Sequence, residues 1–143
     1  MAPTSIFVSR NRCDQQSLFT KCKWLKEARE RHKEVAEECL SAILTTVHAF
    51  RTPRRKVTPA SLQAALNANC LDGKTLSLAM ERFERGAFLS IVRGSVIYNR
   101  MKCMLPKNGL ARATIIILSH YIDILSEEII AQAYHKKNAD KRT

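Results

Sequence analysis

The chain has 143 residues, with 24 Lys and Arg against 13 Asp and Glu, a formal net charge of +11. That length suits one ordinary domain or two very small units sharing a core, and 45% hydrophobic residues exclude wholesale disorder. The cationic excess points to a polyanionic partner, nucleic acid before an anionic membrane surface, and no run of about 18 apolar residues exists to span a membrane.

Residues 1–13 carry Pro3, Arg10 and Arg12 and read as a basic flexible arm, in which only SIFV alternates with period two. The opening MAPTSIFVSRNR is too short and polar for a signal peptide. Five scattered cysteines (Cys13, Cys22, Cys39, Cys70, Cys103) are therefore expected to be reduced thiols in a nuclear or cytosolic setting. Asp14 can cap a helix beginning QQSLFTKCKWL. From about Lys23 to Phe50 the pattern is helical, with Val35, Cys39, Ala42, Ile43, Val47 and Phe50 on one face. The charges of KEARERHKEVAEE fall on the other. Of its i,i+4 neighbours, Glu27–Arg31 helps and Glu30–Glu34 does not, as on a solvated face.

Pro53 ends that helix, and RTPRRKVTP packs Arg51, Arg54, Arg55 and Lys56 into six positions. Thr58 as N-cap and Pro59 in the first turn predict a short helix, ASLQAALNANC. After the turn signal Asp72-Gly73, an amphipathic helix is predicted from Thr75 to about Arg93, weakened by Gly86 and ended by Gly94. A short apolar segment, VIYNRMKCML, leads to the turn Pro106 to Gly109. The helical run ATIIILSHYIDILSEEIIAQAYHKK follows, and then the basic exit HKKNADKRT. In that run Ile116, Ile117, Tyr121, Ile124, Leu125, Ile129 and Ala133 recur at steps of three and four. An all-α protein is expected.

Most chemical motifs fail on spacing. Gly73-Lys74-Thr75 resembles the tail of a phosphate-binding loop, but the required earlier glycine is Ala68 and no apolar strand precedes it. The nearest cysteine pair, Cys13 and Cys22, is nine residues apart, and His32, His48, His120 and His135 share no ligand pattern, so no metal or other cofactor is expected. Asp123 and Glu127 share a helix face, where ion pairing with Lys or Arg of a partner helix is commoner than acid–base catalysis. No nucleophile sits between glycines, so an enzyme acting on a small molecule is not expected.

The basic clusters remain. Arg51, Arg54, Arg55 and Lys56 precede a Thr-capped helix start, where cationic side chains and outward-pointing backbone N–H groups suit a phosphate. Lys107, Asn108 and Arg112 lie in the turn before the long helix, and Lys136, Lys137, Lys141 and Arg142 follow it. A solvated loop explains any one cluster; three clusters at loops favour a shared surface for DNA.

The stretch PKNGLARATIIILSHYIDILSEEIIAQAYHKKNADKRT resembles the first loop and central helix of the core histone usually called two-B. The loop Pro and Gly, Tyr121, Glu127, Ile129, Ala131 and the Lys141-Arg142-Thr143 exit carry the likeness, with VIYNRMKCMLP similar to the preceding short helix. Separately, RRKVTPASLQAALNAN resembles a histone second loop and third helix, its Thr-Pro-x-x-Leu-Gln closer to the two-A partner, and KEVAEECLSAILTTVHAF the end of a central helix. The order departs from the family: central helix, third helix, linker helix, first helix, central helix, with no third helix after Thr143 and a weak first helix at 14–22.

The resemblance implies a histone fold (helix–loop–long helix–loop–helix), as two partial histone folds in one chain or one fold with a helical extension. The doublet divides the sequence into an arm at 1–13, a first unit at 14–72, a linker helix at 73–94 and a second unit at 95–143. It implies duplex DNA and other histone-fold chains, or a second copy, as partners, and location in the nucleus on chromosomes or in a viral particle or factory. Arg51, Arg54, Arg55, Lys56, Thr58, Lys107, Arg112, Lys136, Lys137, Lys141 and Arg142 would meet phosphates; Ile116, Tyr121, Ile124, Leu125 and Ile129 would carry pairing. Two alternatives compete with DNA packaging. One is a histone-fold protein-interaction module of transcription or kinetochore type; the other is a basic all-α viral nucleocapsid or matrix-like protein, against which the single Trp24 argues on single strands.

Overall fold

The structure, a computed structural model, describes residues 6–7, 26–52, 54–68, 73–88 and 91–141, with side chains as far as Ala133. The expected helix at 14–22 lies outside them. Helix α1 spans Lys26–Phe50, α2 Pro59–Ala68, α3 Gly73–Glu84, α4 Gly94–Met104 and α5 Arg112–Lys141. Among the described residues the remaining regular pairing is two isolated bridges, Phe7 with Val92 and Val57 with Leu110. The all-α expectation holds, and no helix among the described residues is long and apolar enough to cross a membrane.

Helix α5 is the axis of the molecule. Its 30 residues extend about 45 Å, and from Ile117 to Ile124 every residue is buried. A helix buried on every side cannot be covered by one neighbour; α5 packs against α1, α2, α3 and α4, most extensively α3. The segment read as a linker helix therefore belongs to the core, with Thr75, Leu76 and Ala79 buried. It also stops earlier than expected. Gly86 takes φ +72°, its N–H donates to Phe83 O, and Ala87 N–H donates to Arg82 O, closing α3 in a left-handed glycine cap.

Helix α1 buries a stripe rotated from the expected one. His32, Ala36, Leu40, Ile43, Leu44 and Val47 face the core, while Ala42 and Phe50 are exposed and Val35 and Cys39 half-buried. The buried histidine explains the shift, because it extends the inner stripe where polarity alone assigns the outer face. His32 stacks on Phe7, ring centroids 4.5 Å apart and planes 11° from parallel. Phe7 and Ile6 are buried, and Arg93 holds them by its backbone N–H on Ile6 O (2.7 Å) and its Nε on Phe7 O (3.0 Å). These two residues, placed by sequence in a flexible arm, are core instead.

Burial holds the His32 pKa down at about 4, and burial is also the main cause of the lowered pKa of His120, opposed there by the nearby Asp123 carboxylate. A folded-state pKa below the unfolded value means that the unfolded chain takes up protons first. The stabilisation is complete above about pH 6.5 and is lost as pH falls towards 4, worth about 3 kcal/mol for His32. Thermal unfolding is expected to give a constant midpoint at pH 7–8 that falls between pH 6.5 and 5, and His32→Leu to flatten that fall. A midpoint unchanged from pH 7 to 5 would refute a buried neutral histidine.

Candidate nucleic-acid interface

The first basic loop leaves α1 through a tight turn. Arg51 Nη1 donates to His48 O at the end of α1, and Arg55 N–H donates to Thr52 O (3.1 Å). Arg54 sits in this turn at φ +65°, the one non-glycine with positive φ among the described residues. Thr58 then starts α2 by accepting the Ser61 N–H (3.2 Å) on its hydroxyl, while Ser61 Oγ accepts the Thr58 N–H (2.8 Å). This reciprocal cap satisfies helix-end donors that the sequence reading left facing a ligand. Thr58 is thus committed first to the helix start rather than to a phosphate.

The second loop, between α4 and α5, lies parallel to the first. Val57 N–H donates to Gly109 O (2.8 Å) and Ala111 N–H to Val57 O (3.1 Å). Thr114 Oγ1 also donates to Val57 O (2.8 Å). Asn108, 3% exposed, clamps the first loop: its Nδ2 donates to Thr52 O (3.1 Å) and Arg55 O (2.8 Å). A buried amide satisfied on two carbonyls fixes the register of both segments. The Lys56 stem lies across Gly109, where an added Cβ would sit 3.5 Å from its Cγ.

The outcome is one edge on which Arg51, Arg54, Arg55, Lys56, Lys107 and Arg112 are all exposed to solvent. The structure brings together two of the three clusters. The third is not a loop: Lys136, Lys137 and Lys141 lie within α5 itself, Lys136 roughly 36 Å along the axis from Arg112, and Arg142 lies outside the described residues. Sequence reasoning named Asn108 as a cluster member but not as the clamp, and it missed Thr114 and Val57. No local pattern marks residues whose partners lie more than 50 positions away.

Of the five residues assigned to pairing, Tyr121, Ile124 and Leu125 meet the chain's own core. Tyr121 and Ile124 are buried, Ile116 and Leu125 half-buried, and Ile129 remains 38% exposed. The Asp123–Glu127 face is ion-paired. Arg82 of α3 donates Nη1 to Asp123 Oδ2 (3.1 Å) and Nη2 to Glu127 Oε2 (3.0 Å). A second fork, Arg100 to Glu37, ties α4 to α1.

Arg54 offers a test that separates folding from binding. A left-handed non-glycine residue costs about 1–2 kcal/mol, offset in part by the extra unfolded freedom of glycine. Arg54→Gly is expected to leave stability unchanged or raise it by up to about 1 kcal/mol, read by urea unfolding. A phosphate contact by Arg54 would show in the same variant as weaker DNA binding and a log–log salt slope lowered by about 1. Binding equal to wild type would show that the strained arginine serves the turn alone.

Comparison with protein-family models, with curated proteins and with solved structures finds no match for this chain.

Proposed function

We propose that this chain binds duplex DNA without reading its sequence and packages or scaffolds it, as two partial histone folds paired within one polypeptide. The observation that carries this reading is the parallel pairing of the 51–58 loop with the 106–111 loop, which gathers six cations on one edge. The helix order supports it too: a 25-residue helix then a 10-residue one, and an 11-residue helix then a 30-residue one, each pair joined at the paired loops. Helix α5 is covered by α1, α2, α3 and α4 of the same chain, so that burial needs no second chain.

The chemistry at the loops is phosphate neutralisation. Arg55, Lys56 and Lys107 supply charge, the positive ends of the α2 and α5 dipoles lie behind them, and counterions released from the duplex drive association. With side chains turned to backbone rather than to base edges, the contacts position DNA and carry no sequence code.

Nuclease digestion of duplex DNA reconstituted with the protein, alone and with core histones, tests the reading. A discrete protected fragment is expected. No protection, together with a stable complex with another histone-fold chain, would move the function to partner binding, a reading that the exposed Ile129 on α5 favours.

A further inference from the structure

The end of α1, the first loop and the start of α2 form an open cleft of about 280 Å³, with Asn108 of the second loop on its wall, and its lining is only partly cationic. Beside Arg51, Arg55 and Lys56 it presents Val47, Phe50 and Val57. The two valines are 3% exposed and belong to the core, so the accessible apolar part of the lining is Phe50, the last residue of α1, which stands 56% exposed next to Arg51. Phosphate neutralisation has no use for a phenyl ring, and a ring left half in water gains most from an apolar partner that arrives with the anion. A nucleic-acid backbone offers that combination, since charged phosphates alternate with the hydrocarbon edge of the sugar.

We propose that Phe50 reads the sugar: its ring packs on the deoxyribose beside the phosphate held by the loop cations, so that the site prefers DNA to RNA. This rests on the duplex-binding reading above. In ribose the 2′ position carries a hydroxyl, the group by which proteins distinguish the two nucleic acids. Packed on the Phe50 ring, that hydroxyl loses water to a surface that offers it no hydrogen bond, whereas the methylene of deoxyribose loses nothing. The Thr58 and Ser61 hydroxyls of the lining already donate within the α2 cap. The loop cations grip both backbones alike, so the discrimination belongs to the apolar wall.

The test compares a DNA duplex and an RNA duplex of the same sequence, and the matching single-stranded DNA, on wild type and on Phe50→Ser. Wild type is expected to favour the DNA duplex by about tenfold, and the variant to reduce that ratio to about twofold. The variant's salt slope should match wild type because no charge is lost. An unchanged ratio in the variant would assign the preference to duplex shape and overturn the inference. So would equal wild-type affinity for both duplexes, or tighter binding of single strands, which would make Phe50 a base-stacking platform. Failure of wild type to bind either duplex overturns the parent reading and this inference with it.

Discussion

Replacing Arg55, Lys56 and Lys107 together with Gln is expected to lower duplex DNA affinity by two to three orders of magnitude at about 0.1 M salt. Each phosphate contact contributes about −0.9 to the slope of log affinity against log salt, so the slope should shrink by about 3. All three residues are exposed, and their replacement should leave fold stability within about 0.5 kcal/mol. The informative control removes the same charge elsewhere: Arg29, Arg31 and Lys33 are exposed on α1, and Gln at these three positions lowers the net charge equally. At 0.1 M salt charges act over about 10 Å, so the control variant should bind nearly as wild type. Equal losses in the two triple variants would mean that bulk charge, not the loop pair, holds DNA.

Replacing Arg82 with Met is expected to destabilise the fold by about 3–5 kcal/mol, measured as a shift in urea midpoint at unchanged slope. Met keeps the apolar stem between α3 and α5 but removes the guanidinium from Asp123, whose side chain is fully buried. The cost is the uncompensated carboxylate rather than the lost attraction. Adding Asp123→Asn should therefore recover part of the loss, because the amide oxygen can still accept the Ile91 N–H that Asp123 Oδ1 receives at 3.3 Å. A double variant no more stable than Arg82→Met alone would show that the arginine acts through packing. Glu127, half-exposed and paired to the same guanidinium at 3.0 Å, should contribute far less.

Local chemistry made much of this molecule legible. Thr58 and Pro59 mark the start of α2 because a hydroxyl cap and a fixed φ act within one turn, and both are read directly from neighbouring residues. The Pro106–Gly109 turn and the three-four spacing from Ile116 onward place α5 for the same reason. Where two local signals competed, the reading went astray: Gly86 rather than Gly94 ends α3, since the glycine that matters is the one required to take positive φ.

By itself the sequence determined the helical class, the four basic residues of the first loop, and the position of the 51–58 and 106–111 loops between helices. Periodicity, capping and charge are properties of residues within a few positions of one another. Only the tertiary structure decided that Asn108 clamps Thr52 and Arg55, that Arg82 meets Asp123 41 positions away, and that Ile6 and Phe7 are core. It also decided that α3 lies along α5, and that two basic loops form one edge while the Lys136–Lys141 cluster lies elsewhere on α5. Those pairings depend on which surfaces bury each other once the chain has closed long loops, and no short window of sequence contains both partners.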